Sequence, residues 1–184
     1  MPFVTTPIQG VLIFEAAVYK DERGYFFESY NEQTFHGQGI TNRFVQDNQS
    51  FSKYGVIRGL HYQLDPHPQT KLVRVLQGRI LDVAVDIRKG SPTFGKYVSV
   101  ELSADNKRQL LVPKGFAHGF SVLSETAEVS YKCDGFYDRA SEAGIRFDDP
   151  QLHIDWQLPL DNAIVSAKDL ALPVFAECRN NFEI

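Results

Sequence analysis

The sequence predicts an all-β sandwich or barrel, and three features point that way. Between residue 8 and about residue 136, short stretches that alternate apolar with polar residues recur, each bounded by turn formers. Gln77-Gly78 joins two of these stretches as in a tight hairpin. The helical signals are few and short, and none amounts to a helical domain.

In chain order, the first helical expectation is Asn31–Phe35, which follows Ser29, a residue able to cap a helix. Two polar extended segments come next, Phe44–Ser50 and Gly55–Gln63. The hairpin pair is Lys71–Leu76 and Leu81–Arg88. In its second arm Leu81, Val83, Val85 and Ile87 alternate with Asp82, Ala84, Asp86 and Arg88, the period of a pleated strand with unlike faces. Tyr97–Leu102 alternates in the same way. Ala104–Lys107, behind Ser103, is the second helical expectation. Leu110–Val112 stops at Pro113, and Phe120–Leu123 and Glu128–Tyr131 complete the strands. Pro113–Phe120 reads as a glycine-flanked turn that carries His118. Beyond Asp169 the tail reads as extended, with a loose polar end.

At 184 residues, with no solenoid repeat and no low-complexity linker, the chain is expected to be one domain over 1–184. Its core is expected over about 8–160, followed by a C-terminal extension from about 161. Hydrophobic residues make up 43% and charged residues 23%, ordinary globular usage. A formal charge of −4 argues against a broad surface for duplex nucleic acid. A few Arg and Lys side chains gathered in one pocket can still bind a diphosphate. Cys133 and Cys178 are too few and too isolated for a disulfide framework or a cysteine zinc site. The start Met-Pro-Phe-Val-Thr-Thr lacks a basic region followed by an apolar signal core. No stretch approaches the roughly 20 apolar residues of a membrane span. The expectation is a cytoplasmic protein bound neither to membrane nor to nucleic acid.

The chemistry-bearing residues cluster. On extended chain Gln46 and Asn48 point one way, and Gly59, His61 and Gln63 share a face. A lone strand histidine is more often packed than catalytic, so His61 needs partners to count. Lys71 shares its face with Val73 and Val75; by composition alone a lysine at a strand start is usually solvated. Tyr131 shares its face with Ala127, Val129 and Cys133. Such a tyrosine is either core with a locally satisfied hydroxyl or, if the hydroxyl turns into a cavity, a general acid. Asp169, in Ser166-Ala167-Lys168-Asp169, is either a turn acid or the acceptor that fixes the His61 imidazole. His61 and His118 do not lie at metal-ligand spacing, and metal is disfavoured.

Several segments together resemble the dTDP-4-dehydrorhamnose 3,5-epimerase family. They are Asp21–Tyr30, Phe44–Ser50 with Gly55–Gln63, Lys71–Arg88, Ser91–Gly95, Leu102–Gln109, Pro113–Phe120 and Ser166–Asp169, and their joint order is highly specific. The resemblance implies a cupin-like jelly-roll barrel with a few short helices, a homodimer that shares strands, and no cofactor. It implies His61 as base, Tyr131 as acid, Asp169 as the partner of His61, and Lys71 beside the keto oxygen. Arg23, Phe26, Glu28, Gln46, Asp47, Asn48, Arg58, His118, Glu142 and Lys168 match nucleotide-sugar contacts, and Tyr137 matches an aromatic that stacks on thymine. Phe147 and Lys114 depart from the commonest family wording.

The implied reaction is inversion at C3 and C5 of dTDP-4-dehydro-6-deoxy-D-glucose through enolates, giving dTDP-4-dehydro-L-rhamnose. The alternatives are a mono-epimerase of a related deoxysugar and, in another class, a non-catalytic sugar-binding cupin or a metal-dependent cupin oxygenase.

Overall fold

The computed structural model describes residues 2–184. Along the chain run β1 (Phe3–Thr5), β2 (Leu12–Glu15), β3 (Tyr19–Asp21), β4 (Gly24–Phe26), α1 (Glu32–His36), β5 (Gln46–Lys53), β6 (Ile57–Gln63) and β7 (Lys71–Gln77). They continue with β8 (Arg79–Asp86), β9 (Tyr97–Ser103), β10 (Arg108–Val112), β11 (Phe116–Val122), β12 (Thr126–Cys133), β13 (Glu142–Gly144) and α2 (Ala167–Leu170). A six-stranded sheet, ordered β1-β2-β10-β7-β12-β5, faces a five-stranded sheet, ordered β13-β6-β11-β8-β9. The pairings within both sheets are antiparallel, and the whole is a cupin-like jelly roll. Among the described residues no helix is long and apolar enough to cross a membrane.

Burial explains the layering. Between the sheets lie Val73, Val75, Ile80, Ala84, Leu102, Leu110, Phe116, Phe120, Ala127 and Val129. The outer face of the five-stranded sheet is covered as well. There Leu81, Val83, Val85 and Ala117 pack beneath Ile145, Phe147, Leu152, Ile154, Trp156 and Phe175 of the C-terminal segment. The polar series of β8 therefore points into the sandwich, and the apolar series points out under this cover. Asp82 and Asp86 are both fully buried. Phe147, where the sequence departs from family wording, is a buried member of this outer cluster, its carbonyl accepting from Nε1 of Trp156 at 2.8 Å.

Several local expectations change. The first helix starts one residue later and is capped by Asn31, whose side chain accepts from the backbone N–H groups of Gln33 and Thr34, rather than by Ser29. Ala104–Lys107 is a turn, not a helix. Ser103 and Asn106 bond to one another's backbone there, and Lys107 takes a left-handed φ of 58°, so the chain reverses into β10 at once. His118 lies within β11, not in a turn. The tail is tied down rather than loose. The Asn181 side chain bonds both ways with the backbone of Asp65, and the backbone N–H of Ile184 donates to the carbonyl of Lys89 at 3.1 Å.

Candidate active site

The two sheets open at one end into a groove. Its first part, about 310 Å³, is lined by Gln46, Asn48, His61, Gln63, Gln69, Lys71, Tyr131, Tyr137 and Glu142. A second part of about 550 Å³ shares His61, Lys71 and Tyr131 and adds Arg58, His118, Lys168 and Asp169.

Strand register sets the opposing walls. On the six-stranded sheet Tyr131 of β12 stands between Asn48 of β5 and Val73 of β7, and Cys133 pairs with Lys71. On the five-stranded sheet His61 of β6 stands between His118 of β11 and Gly144 of β13. His61 and Tyr131 thus face one cavity from opposite sheets, and the Lys71 amine lies 5.8 Å from the centroid of the Tyr131 ring. Burial pushes the Tyr131 hydroxyl up, so it keeps its proton, and burial lowers the Lys71 amine.

His61 has the partner it needs. Its Nε2 lies 2.8 Å from Oδ1 of the buried Asp169, and the backbone N–H of Gly59 donates to Oδ2 at 3.2 Å. Burial works against the Asp169 charge, but the His61 contact and the Gly59 N–H hold its carboxyl below the ordinary range. Asp169 is placed by α2, a single turn capped by Ser166, whose Oγ accepts from the Asp169 backbone N–H at 3.1 Å. Ser166-Ala167-Lys168-Asp169 has the spacing of a capping motif, a signal that could have marked a helix start where the sequence was read as a turn.

Gly59 explains how β6 and β11 come so close. It has a φ of 119°, and a Cβ there would stand 2.6 Å from Gly119 Cα and 2.7 Å from the His118 carbonyl. Both the angle and the space require glycine.

Around this centre the polar side chains are cross-linked. Gln46 donates to Asn48 at 3.0 Å and accepts from the Tyr137 backbone N–H at 3.1 Å. Glu142 accepts from the Tyr137 hydroxyl at 2.9 Å and from the Lys168 amine at 2.6 Å. Tyr137 leaves its ring 54% exposed at the rim, free for a flat ligand. Arg58 donates to Ser52 Oγ at 3.0 Å.

Four expected contact residues lie elsewhere in the chain. Asp47 points to the other side of β5, where it pairs with Lys132 at 3.0 Å. Arg23 is held by Asp21 at 2.6 Å, Glu28 accepts from Asn31 at 3.1 Å, and Phe26 is 67% exposed on the β3–β4 hairpin. Two residues not expected are present. Gln69 lines the groove from the loop before β7, where no local pattern marks it. Asp82 approaches His118 Nε2 to 2.7 Å, and its place on the polar side of an alternating strand was the available signal.

The family model for dTDP-4-dehydrorhamnose 3,5-epimerase matches residues 5–177. The epimerase of that name from Shigella flexneri is 54% identical over 171 residues, covering 92% of this chain and 93% of the relative. The crystal structure of the Elizabethkingia anophelis enzyme matches with a TM-score of 0.92 at 54% identity, over 95% of this chain and 96% of that one. A Legionella pneumophila 3,5-epimerase in complex with dTDP-4-keto-L-rhamnose matches with a TM-score of 0.91 at 51% identity, over 95% and 93% of the two chains.

Proposed function

The chain belongs to the dTDP-4-dehydrorhamnose 3,5-epimerase family and acts on a dTDP-linked 4-keto-6-deoxy sugar; we propose that His61 is its base and Tyr131 its acid. Under this reading Asp169 orients His61 and supports the imidazolium that forms, and Lys71 stands beside the keto oxygen. The observation that carries it is the placement of His61 and Tyr131 on opposite sheets across one groove, with Lys71 next to the tyrosine.

The chemistry requires that placement. The C4 ketone acidifies the hydrogens on C3 and C5, so one base can remove either and leave an enolate. The enolate oxygen needs a cation or donor, the part of Lys71. Inversion needs a proton delivered to the opposite face, so acid and base must be different groups on different walls. The Tyr131 hydroxyl, held protonated by burial, has the proton to give. The nucleotide end is assigned to Tyr137 for the thymine ring and to Arg58 and Lys168 for the diphosphate, with Gln46, Asn48, His118 and Glu142 around the sugar. Incubation with dTDP-4-dehydro-6-deoxy-D-glucose in D2O, followed by NMR, should show deuterium entering at both C3 and C5 with both centres inverted. Exchange confined to one carbon would make the chain a mono-epimerase, and no exchange would leave a sugar-binding protein.

We further propose a homodimer in which Arg23, Phe26 and Glu28 complete the neighbouring subunit's groove. The β3–β4 hairpin supports this. Its two strands pair with each other, and Tyr19, Tyr25 and Phe26 are 67%, 58% and 67% exposed, more apolar surface than so small an element keeps in water without use. Light scattering should give a dimer at assay concentration, and Arg23→Ala should weaken dTDP binding without lowering the melting temperature. A fully active monomer would exclude the shared groove.

A further inference from the structure

Asp82 is a charged side chain where the fold provides an apolar interior. Its neighbours on the inner face of β8, Ile80 and Ala84, belong to the sandwich core, and Asp82 has no exposed surface. Oδ1 meets His118 Nε2 at 2.7 Å, whereas Oδ2 is buried with no hydrogen-bond partner. A carboxylate left half-satisfied in a core is among the costliest features a fold carries, and stability alone does not account for it.

Its effect on His118 follows from elementary chemistry. A carboxylate can only accept, so the contact places the ring proton of His118 on Nε2. Nδ1 makes no hydrogen bond among the described residues, and His118 lines the groove beside Lys71 and Tyr131.

We propose that Asp82 is a positioning residue of the epimerase: it fixes His118 as the Nε2–H tautomer, so that Nδ1 presents a lone pair to a hydroxyl of the bound hexose. This rests on the reading of the groove as the sugar site. The rival role is that of a counter-charge for Lys71, whose amine burial lowers while Cys133, Asp82 and Glu142 raise it. Cys133 is itself pushed up by burial and stays a neutral thiol, which leaves Asp82 and Glu142 as the acids that act on Lys71.

The test uses full-length protein with ¹⁵N-labelled histidine. In the wild type, long-range ¹H–¹⁵N spectra should show the His118 proton on Nε2; a neutral Nδ1–H form would overturn the proposal before any variant is made. Asp82→Asn, which can offer either an oxygen or an N–H to the ring, should shift His118 toward the Nδ1–H form. It should keep dTDP affinity within about 2-fold and lower kcat/KM for the keto sugar by about 10–100-fold, the loss that follows when a metal-binding histidine is deprived of its orienting partner. Unchanged turnover, or an equal loss of dTDP binding, would overturn it. His118→Gln supplies a cycle: if Asp82 acts through His118, the double variant is no worse than the poorer single one, and additive losses would assign Asp82 to Lys71 instead. The tautomer is read without substrate, so a wild type that exchanges neither C3 nor C5 would sink the functional reading without deciding the position of the proton.

Discussion

His61→Asn is expected to abolish deuterium exchange at both C3 and C5 while leaving dTDP affinity close to wild type. One base serves both carbons, because either proton leaves through the same acidifying ketone, so the two exchange rates should fall together. General-base contributions are typically ~10²–10⁴-fold in rate. Asparagine keeps the approximate size of the side chain and a polar group toward Asp169, which still accepts from the Gly59 N–H and still donates its own backbone N–H to Ser166 Oγ, neither bond depending on the ring. The fold should therefore survive, which a melting curve checks. Near-normal exchange at either carbon in a folded variant would remove His61 from the role of base for that carbon.

Tyr131→Phe should separate two events that the wild type couples. The ring and its packing against the core remain, and only the proton that completes inversion is lost. His61 and Lys71 can still form the enolate, and His61 can return a proton to the face it came from. Solvent exchange should then outlast epimerisation, with deuterium appearing at carbons that keep their configuration. If Tyr131 were merely a core residue, the loss would be one of stability, about 1 kcal/mol for a missing hydrogen bond. Deuterium uptake and the configuration at C3 and C5, read in the same tube, tell these apart. Wild-type inversion by the variant would end the assignment of Tyr131 as acid.

What the sequence made legible was whatever depends on local period. The strands carrying Lys71 and Tyr131 could be placed because a two-residue period sets them on a face with Val73 and Val75 or with Val129, and the same period sets His61 with Gly59 and Gln63. The same rule went only halfway for β8. Alternation separates its two faces but does not say which is inside, and the C-terminal segment covers the apolar one. Asp82 therefore lies inside the sandwich, against His118. His118 was assigned to a turn because Gly115 and Gly119 flank it, yet Gly119 serves to admit Gly59 across a strand pair. The union of Asp169 with His61 had no local signature at all, since sequence distance says nothing about a contact made by tertiary packing. The short helix that aims it was marked only by the Ser166 spacing. Arg23, Phe26 and Glu28 match the family pattern yet sit away from the groove of their own chain, where no periodicity of a single sequence could have taken them.

The docking of the C-terminal segment also joins two tasks. Asp169 lies 108 residues beyond His61, on the segment that follows the last strand of either sheet. A domain folds as a unit, so the two walls of the groove and the segment that carries Asp169 close together once the chain is long enough to supply both. Until that segment closes over the outside of the barrel, His61 lacks its carboxylate and the apolar face of β8 lacks its cover. The partner of His61 and the cover of an apolar sheet face thus arrive on one segment, so loosening that segment removes both at once.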